Sequence, residues 1–318
     1  MQLSPRVPDL GALEVLLAVA HTGSLNGAAR QVGVSQQAVS ARMSSIEAQT
    51  GVQLLTRSMH GSTLTPAGVV VAQWAARLLD VAGELDAGLA ALRHDRQARV
   101  RVSASLTIAE HLLPGWLVSL QAAARTRGQV APDVVLTATN SETVMSQVRA
   151  NGADLGFIEG PGRPTDLRSQ VIGHDTLVLV VPPGHPWVRE QRTVSAAQLN
   201  ELALVTREEG SGTREALSRA LAAALGEHRG RQAAPAMALS TTSAVRAAVL
   251  AGAGPAVLSE LAVADDLAAH RLAHVPVSGV DLSRELRAVW LGPRHPPAGA
   301  VRDLVAHILS RPRASRRA

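Results

Sequence analysis

Apolar residues recur every three or four positions between residues 24 and 47, a spacing that predicts helices with one buried face. Ser24 and Ser35 each stand where a hydroxyl can cap the start of a helix. Gly33 lies between the two predicted helices, where the chain must turn sharply. We therefore predict two short helices joined by a tight turn. The positions predicted to face inward are Val32, Val34, Val39, Met43 and Ile46.

The other face of the second predicted helix carries amides and hydroxyls, where a merely solvated face would carry Glu and Lys. Amides and hydroxyls donate to and accept from base edges in the major groove of DNA. Free backbone N–H groups at the start of the same helix suit a phosphate. The pattern indicates a helix-turn-helix that reads DNA, at about residues 25–44. Its candidate contact residues are Ser35, Gln36, Gln37, Ser40, Arg42 and Ser44.

The residues on either side of this motif complete a small domain. Helical spacing of apolar residues over positions 8–22 predicts a supporting helix. Residues 51–65, with glycines as turn points, predict a two-stranded wing. An Arg near its exposed end would contact a phosphate or enter a minor groove, and the alternative is an Arg on a solvated loop. The residues near that end are Arg57, His60 and Thr63.

A long helix is predicted next, because Thr65 offers a capping hydroxyl and Pro66 suits the first helical position. Apolar residues then recur at intervals of seven as far as Arg93, over about four heptads. We expect this helix to pair with that of a second subunit; the alternative is an amphipathic helix packed on its own domain. Pairing would present two reading helices to a palindromic operator. The repeat consists of Val71, Leu78, Leu85 and Leu92, with Trp74, Val81 and Leu89 between them.

From residue 99 to residue 311, short apolar runs alternate with helical stretches. This alternation predicts the α/β class, with open sheets and crossover connections, in which ligands bind at the strand ends. The predicted strands are residues 100–105, 134–139, 154–158, 177–181, 202–205, 236–240, 255–258, 274–277 and 285–291. The predicted helices are residues 108–126, 143–150, 214–225, 243–251 and 298–309.

Taken together, these motifs resemble a known family. The residues from Ser24 to Glu47, with Gly-Val-Gln-Leu-Leu-Thr-Arg at 51–57 and Leu-Thr-Pro-Ala-Gly at 64–68, resemble the N-terminal domain of LysR-type transcriptional regulators. Residues 99–311 resemble the effector domain of that family, which has the fold of periplasmic binding proteins. The resemblance implies operator binding by a dimer or tetramer, RNA polymerase as a further partner, and control by a small molecule.

The resemblance also implies an order of domains. An N-terminal all-α winged helix-turn-helix at residues 8–65 precedes a linker and dimerisation helix at 66–94. A two-lobed α/β effector domain follows at 99–311, and a basic tail at 312–318. With the two crossings placed near residues 172–173 and 274–275, lobe 1 comprises 99–172 with 275–311, and lobe 2 comprises 173–274.

Polar residues at predicted strand ends are the candidates for an effector site. Hydroxyls that lead into a helix suit an anion, and glycines followed by a capped helix form an anion-binding nest. The sequence of residues 206–215 resembles that of the branch of the family that regulates sulfur metabolism and carbon fixation. We expect a sulfur oxyanion or another small anion between the lobes; an ordinary capped loop is the alternative. The candidates are Ser105, Thr107, Asn140, Glu159, Arg207, Ser211, Gly212, Thr213, Arg214 and Thr241.

Composition narrows the alternatives. The 318 residues are 46% hydrophobic, contain no Cys and carry a net charge of +5, which permits DNA binding without demanding it. Neither an apolar run long enough for a membrane span nor a catalytic or metal-binding motif is found, so we expect a cytoplasmic protein that is not an enzyme and has no cofactor. A binding protein whose first 65 residues serve only association is the competing class.

Overall fold

The computed structural model describes residues 4–58, 61–93, 99–160, 164–226 and 232–311. The chain divides into two compact units, one of residues 1–90 with 293–297 and one of residues 91–292 with 298–318. Over the described ranges, no helix has both the length and the apolar character needed to cross a bilayer.

The N-terminal unit is a cluster of three helices followed by a two-stranded wing and a long helix. One apolar cluster forms its core and includes Leu16, Val39, Met43 and Ile46, each at most 1% exposed. The elements are α1 (Leu10–Thr22), α2 (Leu25–Val32), α3 (Gln36–Thr50), β1 (Leu55–Ser58), β2 (Gly61–Leu64) and α4 (Pro66–Arg93).

The predicted helix-turn-helix is confirmed, down to its caps. The hydroxyl of Ser24 accepts the first-turn N–H of α2 at 2.9 Å, and that of Ser35 accepts the first-turn N–H of α3 at 3.2 Å. Gly33 ends α2 with φ +73°, in the left-handed region where a Cβ would be strained. Val34 is 37% exposed, so its predicted inward position is wrong: it falls in the turn and on neither helix.

The predicted wing is also confirmed. Strands β1 and β2 pair antiparallel, with Leu55 opposite Leu64. The carboxylate of Glu47 accepts the backbone N–H groups of Leu54 and Leu55 at 2.8 and 3.0 Å, which ties the wing to α3. His60, predicted near the exposed end of the wing, lies outside the described residues.

Helix α4 has the bounds that the heptad pattern predicts, and the Thr65 hydroxyl accepts the Gly68 N–H at 2.9 Å at its start. Its first turns bury Ala72 and Ala75 in the N-terminal core. On another side of the helix, no part of the chain covers the described residues of the apolar stripe, which disfavours packing of that stripe on its own domain. The exposed fractions are 59% for Trp74, 48% for Leu78, 63% for Val81, 63% for Leu85 and 40% for Leu89.

The second unit alternates strands and helices, as predicted. Its strands are β3 (Arg99–Ser105), β4 (Asp133–Thr139), β5 (Leu155–Glu159), β6 (Arg168–Val181), β7 (Val194–Ser195), β8 (Val205–Arg207), β9 (Met237–Leu239), β10 (Ala256–Ser259), β11 (Ala273–Val275), β12 (Val277–Ser278) and β13 (Ser283–Trp290). Its helices are α5 (Leu106–His111), α6 (Leu113–Thr126), α7 (Ser141–Arg149), α8 (Pro186–Arg189), α9 (Ala196–Glu201), α10 (Gly212–Leu225), α11 (Thr242–Leu250), α12 (Glu260–Ala268) and α13 (Ala300–Ser310).

A seven-stranded sheet runs through this unit in the order β10-β6-β13-β5-β3-β4, and β11 also pairs with β6. Strand β3 pairs parallel with both β4 and β5, so the carboxyl ends of these three strands meet at one edge. Helices α6 and α13 cover one core of lobe 1, while α10 and α11 cover the two cores of lobe 2.

Strand β6 carries the chain from the first lobe to the second. Its residues 168–176 pair with β13, and residues 177–181 pair with β10 and β11. Ile172 packs in the core of lobe 1, whereas Leu177 belongs to a core of lobe 2. We therefore place the first crossing within β6, at about residues 173–176.

The return to lobe 1 comes later than the sequence suggests. Val275 is buried in the core of lobe 2, and Val280 and Leu282 still pack against that core. Strand β13, which begins at Ser283, is the first strand after Val275 that pairs with a strand of lobe 1 other than β6, namely β5. We therefore place the second crossing near residues 282–283, because the short strands before it continue lobe 2.

Several predicted bounds require correction. The helix predicted at residues 108–126 is two helices, α5 and α6, because Pro114 has no backbone N–H and its ring clashes with the carbonyl four residues earlier, so it stands in the first turn of a new helix. The strand predicted at 177–181 is the second part of β6, whose first part is too polar to be recognised. Helices α8, α9 and α12 were not predicted.

Candidate DNA-reading surface and effector cleft

The side of α3 that was predicted to read DNA is open to solvent. Gln36, Gln37, Arg42 and Ser44 are exposed, and Ser40 is partly exposed. The opposite side of the helix buries Val39, Met43 and Ile46 in the core. Helix α3 therefore presents a row of amides and hydroxyls on a rigid support, at the end where Ser35 caps it.

The remaining DNA candidates lie on the wing and at the flank of α3. Thr63 is exposed on β2, and the backbone of Arg57 lies in β1 opposite Ser62. The guanidinium of Arg42 lies on the side of α1, within 3.8 Å of the position that a Cβ on Gly11 would take. Arg42 is thus the candidate nearest to the supporting helix.

Three hydroxyls stand unpartnered at the carboxyl end of β3. Ser103, Ser105 and Thr107 are each at most 1% exposed, and their oxygens have no hydrogen-bond partner. Ser105 occupies the N-cap position of α5, yet its side chain makes no capping bond. Because a buried hydroxyl without a partner costs about 1–3 kcal/mol, three together indicate a site that awaits a ligand or water.

The start of α10 shows the same feature on the facing lobe. Ser211 is 1% exposed, occupies the N-cap position and makes no side-chain bond. The Cα of Gly212 lies so close to β5 that an added Cβ would be 1.8 Å from the carbonyl oxygen of Glu159. The first turn of α10 therefore contacts the end of β5, and β5 is the direct neighbour of the strand that ends at Ser105.

Two other candidates use their side chains to cap their own helices. The side-chain oxygen of Asn140 accepts the Thr143 N–H at 2.9 Å, and that of Thr241 accepts the Ala244 N–H at 3.1 Å. The Asn140 amide also donates to Glu208 at 3.3 Å. The side-chain oxygens of Asn140 and Thr241 are therefore already used in hydrogen bonds, whereas the hydroxyls at the starts of α5 and α10 are not.

The two candidate arginines differ in how their charge is compensated. The Arg207 side chain is 2% exposed and donates to the carboxylate of Glu208 from Nε at 2.8 Å and from Nη2 at 2.9 Å, and to the hydroxyl of Thr242 at 3.1 Å. Arg214 is 28% exposed, with a carboxylate of Glu209 at 3.6 Å. Arg207 is thus fully neutralised and Arg214 only weakly.

Arg284 is the central residue of the cleft, and the sequence analysis missed it. Its guanidinium donates to Asp175 at 2.6 and 2.8 Å and to Glu159 at 3.0 Å. It also donates to the Thr213 hydroxyl at 3.0 Å, and that hydroxyl in turn lies 3.3 Å from Glu159. Ser259 donates to the remaining oxygen of Asp175 at 3.0 Å. These five residues, here called the Arg284 cluster, join β5 of lobe 1 to α10 and β10 of lobe 2.

The charges of this region do not cancel. Two buried guanidiniums, of Arg207 and Arg284, face three carboxylates, of Glu159, Asp175 and Glu208. All four oxygens of Glu159 and Asp175 already accept a hydrogen bond. Within the described residues, no group of three or more His, Cys, Asp or Glu side chains is arranged to hold a metal ion.

Glu159 and Thr213 of this cluster were candidates from the sequence, but no sequence signal distinguished Arg284, Asp175 or Ser259. Arg284 stands just before a predicted strand in a run of alternating charged residues, where a solvated Arg is the ordinary reading. Asp175 precedes the apolar run 177–181 and has the position of a polar residue at a strand start. Their burial follows from the antiparallel pairing of β6 with β13, which places Arg284 opposite Asp175 and is a property of the tertiary fold.

Comparison with known proteins agrees with the two units. Residues 10–69 match the family model for bacterial regulatory helix-turn-helix proteins of the lysR family, and residues 93–313 match the model for the LysR substrate binding domain. An uncharacterized HTH-type transcriptional regulator of Mycobacterium tuberculosis is 57% identical over 311 residues, which cover 98% of this chain and 99% of that protein. The HTH-type transcriptional regulator CysL of Bacillus subtilis is 30% identical over 274 residues, 86% of this chain and 88% of that protein.

Solved structures show the same fold at lower identity. A full-length OxyR variant from Pseudomonas aeruginosa superposes with a TM-score of 0.55 at 21% identity, and the match covers 95% of this chain and 100% of that one. The CcmR regulatory domain of Synechocystis, solved in complex with 2-PG, superposes with a TM-score of 0.56 at 21% identity, covering 67% and 96%. With both family models matched along its length, this chain belongs to the LysR family of DNA-binding transcriptional regulators.

Proposed function

We propose that α3 reads operator DNA through Gln36, Gln37 and Ser40, with the wing residues Arg57 and Thr63 on the sugar-phosphate backbone. The observation that supports this is the exposed row of amides and hydroxyls on a helix whose other side is buried. Bidentate amides discriminate between base pairs in the major groove, whereas an Arg on a phosphate sets position and affinity. Ser35 and Arg42 flank this row, and the basic tail at 312–318 adds nonspecific affinity.

We propose that α4 pairs the subunits through its exposed stripe. Residues 74–89 leave a row of large apolar side chains uncovered over several turns, which is more than a solvated helix needs. Two paired helices would hold two copies of α3 at a fixed separation on a palindromic operator. Association of two dimers into a tetramer is part of the same proposal.

The effector that we propose is a small oxyanion, such as sulfate, sulfite or phosphate, held between the lobes by neutral donors. The unpartnered hydroxyls of Ser105, Thr107 and Ser211 and the N–H groups of Gly212 and Thr213 would donate to it. The charge of Arg207 is already neutralised by Glu208, so Arg207 would stabilise the surrounding structure and would not bind the anion directly. Asn140, Glu159 and Thr241 have the same supporting role through the helix starts and the Arg284 cluster.

In the proposed mechanism, the ligand favours the closed arrangement of the lobes. It bonds to α5 of lobe 1 and α10 of lobe 2 together, so it binds the closed form better than an open one. Closure then alters how dimers associate and how far the DNA bends. The protein would thus act by binding and not by catalysis, in the cytoplasm, with RNA polymerase as a further partner.

A gel-shift titration with the DNA upstream of the protein's own gene tests the DNA proposal. Gln36→Ala should cost about 1–3 kcal/mol on the cognate site and little on random DNA. Gln73→Ala, an exposed amide on α4, serves as the matched control. Arg57→Ala should weaken both DNAs and flatten the salt slope by about one unit. Equal losses of Gln36→Ala on specific and random DNA would contradict its assignment.

Titration calorimetry of the full chain with sulfate, sulfite, phosphate and O-acetylserine tests the effector proposal. Ser105→Ala and Ser211→Ala should each cost about 1.5–3 kcal/mol of affinity, the value of a hydrogen bond to a charged group. Each should also leave the free energy of unfolding unchanged or raise it, since the hydroxyl has no partner within the protein. Ser146→Ala, on the exposed side of α7, is the control. Unchanged affinity in both variants would overturn the assignment.

A further inference from the structure

A cavity lies within lobe 2, along α10. It measures about 690 Å³, within the range of small-molecule sites. Its walls are α10, strand β8 and the segment at residues 232–235. Residues 227–231 lie outside the described residues. The cavity shares Arg207 and Thr213 with the oxyanion cleft, and its other lining residues are not part of the proposed oxyanion site.

One wall of this cavity is apolar and rigid. Leu204, Leu217 and Leu221 are each at most 3% exposed and belong to the core of lobe 2, so their inner surfaces are fixed. Leu202 and Leu225 extend the wall toward the surface. Because α10 rises 1.5 Å per residue, Arg214 and Leu225 are separated by roughly 16 Å along the helix axis. The cavity is thus lined by hydrocarbon along a length that suits an extended aliphatic chain.

The end of the cavity at β8 is polar and positive. The Thr206 hydroxyl is buried without a partner. Arg214 points its Nη1 at the Arg207 carbonyl at a long 3.4 Å, and its nearest carboxylate, on Glu209, belongs to a side chain that is 91% exposed. Arg207 lines the same end but is paired with Glu208. Arg214 is therefore the weakly compensated cation of this wall, next to an unused hydroxyl.

From this combination we propose that lobe 2 holds a second ligand site, for a monocarboxylate with an unbranched aliphatic body. The carboxylate would accept from Arg214 and Thr206, and the hydrocarbon would lie along the leucines of α10 and β8. The oxyanion cleft has a different character, because its proposed donors are neutral hydroxyls and N–H groups. The inference does not depend on the oxyanion proposal, because no residue of the Ser105 side of the cleft takes part.

Calorimetric titration of the full chain with a homologous series tests the site. Hexanoate, octanoate and decanoate should bind with affinity rising about fourfold for each buried CH₂. Octylamine should bind at least tenfold more weakly than octanoate, since the polar end is positive. Saturating sulfate should not abolish octanoate binding. No binding of octanoate, or equal binding of octylamine, would overturn the proposal.

Variants locate the ligand within the molecule. Arg214→Gln should weaken octanoate at least tenfold and leave octanol nearly unchanged, whereas Arg219→Gln, on the exposed side of the same helix, should change neither. Ala222→Phe fills the cavity from α10 and should abolish binding even if Arg214→Gln is poorly folded. Ser105→Ala should leave octanoate binding intact. Loss of octanoate binding in Ser105→Ala, or equal effects of the two Arg variants, would assign the ligand elsewhere and refute the site.

Discussion

Replacing Arg284 by Met is the sharpest test of the cluster that joins the two lobes. Met keeps much of the length of the side chain but removes the one cation that compensates Glu159 and Asp175, both buried. Breaking a buried ion pair from one side costs about 3–5 kcal/mol, since the remaining charge stays buried without a partner. For a domain of this size, 1 kcal/mol corresponds to roughly 2–4 °C in the melting temperature, so we expect a decrease of about 10 °C.

Thermal unfolding followed by circular dichroism measures this decrease, with Arg287→Met as the control on the same strand. Arg287 is 15% exposed and pairs with Glu285, so its loss should cost about 1 kcal/mol or less. If uncompensated charge is the cause, adding Glu159→Gln and Asp175→Asn to Arg284→Met should recover most of the stability. A triple variant no more stable than Arg284→Met, or equal melting temperatures for the two single Arg variants, would refute the electrostatic reasoning.

Three further predictions rest on separate observations. Gly212→Ala places a Cβ 1.8 Å from the Glu159 carbonyl oxygen and must push α10 away from β5, so oxyanion affinity measured by calorimetry should fall at least tenfold; unchanged affinity would contradict the assigned closure. Leu85→Asp, in the exposed stripe of α4, should shift the chain from dimer to monomer in sedimentation analysis, and a persistent dimer would exclude pairing through α4. Burial and the charges of Arg311 and Arg127 lower the pKa of His307, so the folded chain binds fewer protons than the unfolded chain below pH about 6.5. Stability should therefore decrease as the pH falls through that range, and His307→Gln should remove this part of the slope in urea unfolding; an unchanged slope would exclude the effect.

The sequence predicts the elements whose cause is local. Ser24, Gly33 and Ser35 act within one turn of the chain, so caps and turn follow from residue type alone. The bounds of α4 follow in the same way from Pro66 and the heptad spacing. Strand ends that lead into helix starts are also predictable, which is why Ser105 and the start of α10 were both candidates.

The parts that the sequence does not predict depend on contacts between distant segments. Whether Arg284 faces water or two carboxylates is decided by the antiparallel pairing of β13 with β6, which places it opposite Asp175, more than 100 positions away along the chain. The sequence does not predict the late return to lobe 1 for a related reason. The apolar pattern of β11 and β12 would be the same whichever lobe they belonged to. Capping by Asn140 and Thr241 competes with ligand binding for one oxygen, and residue type alone does not decide between the two uses.

The charge distribution of the second unit constrains which ligand each site along α10 can take. Near β5, the guanidiniums are already paired and carboxylates are in excess, so an anion there must be held by O–H and N–H dipoles. Such a site gains little from long-range electrostatic attraction of the anion. It depends on close placement of a few donors, which favours a compact oxyanion over a larger one. In the cavity of lobe 2, the weakly paired Arg214 and the leucine wall favour a ligand that has both a negative charge and a hydrocarbon chain. Since both ligands would bear on α10, occupation of one site changes the free energy of binding at the other only if it shifts that helix.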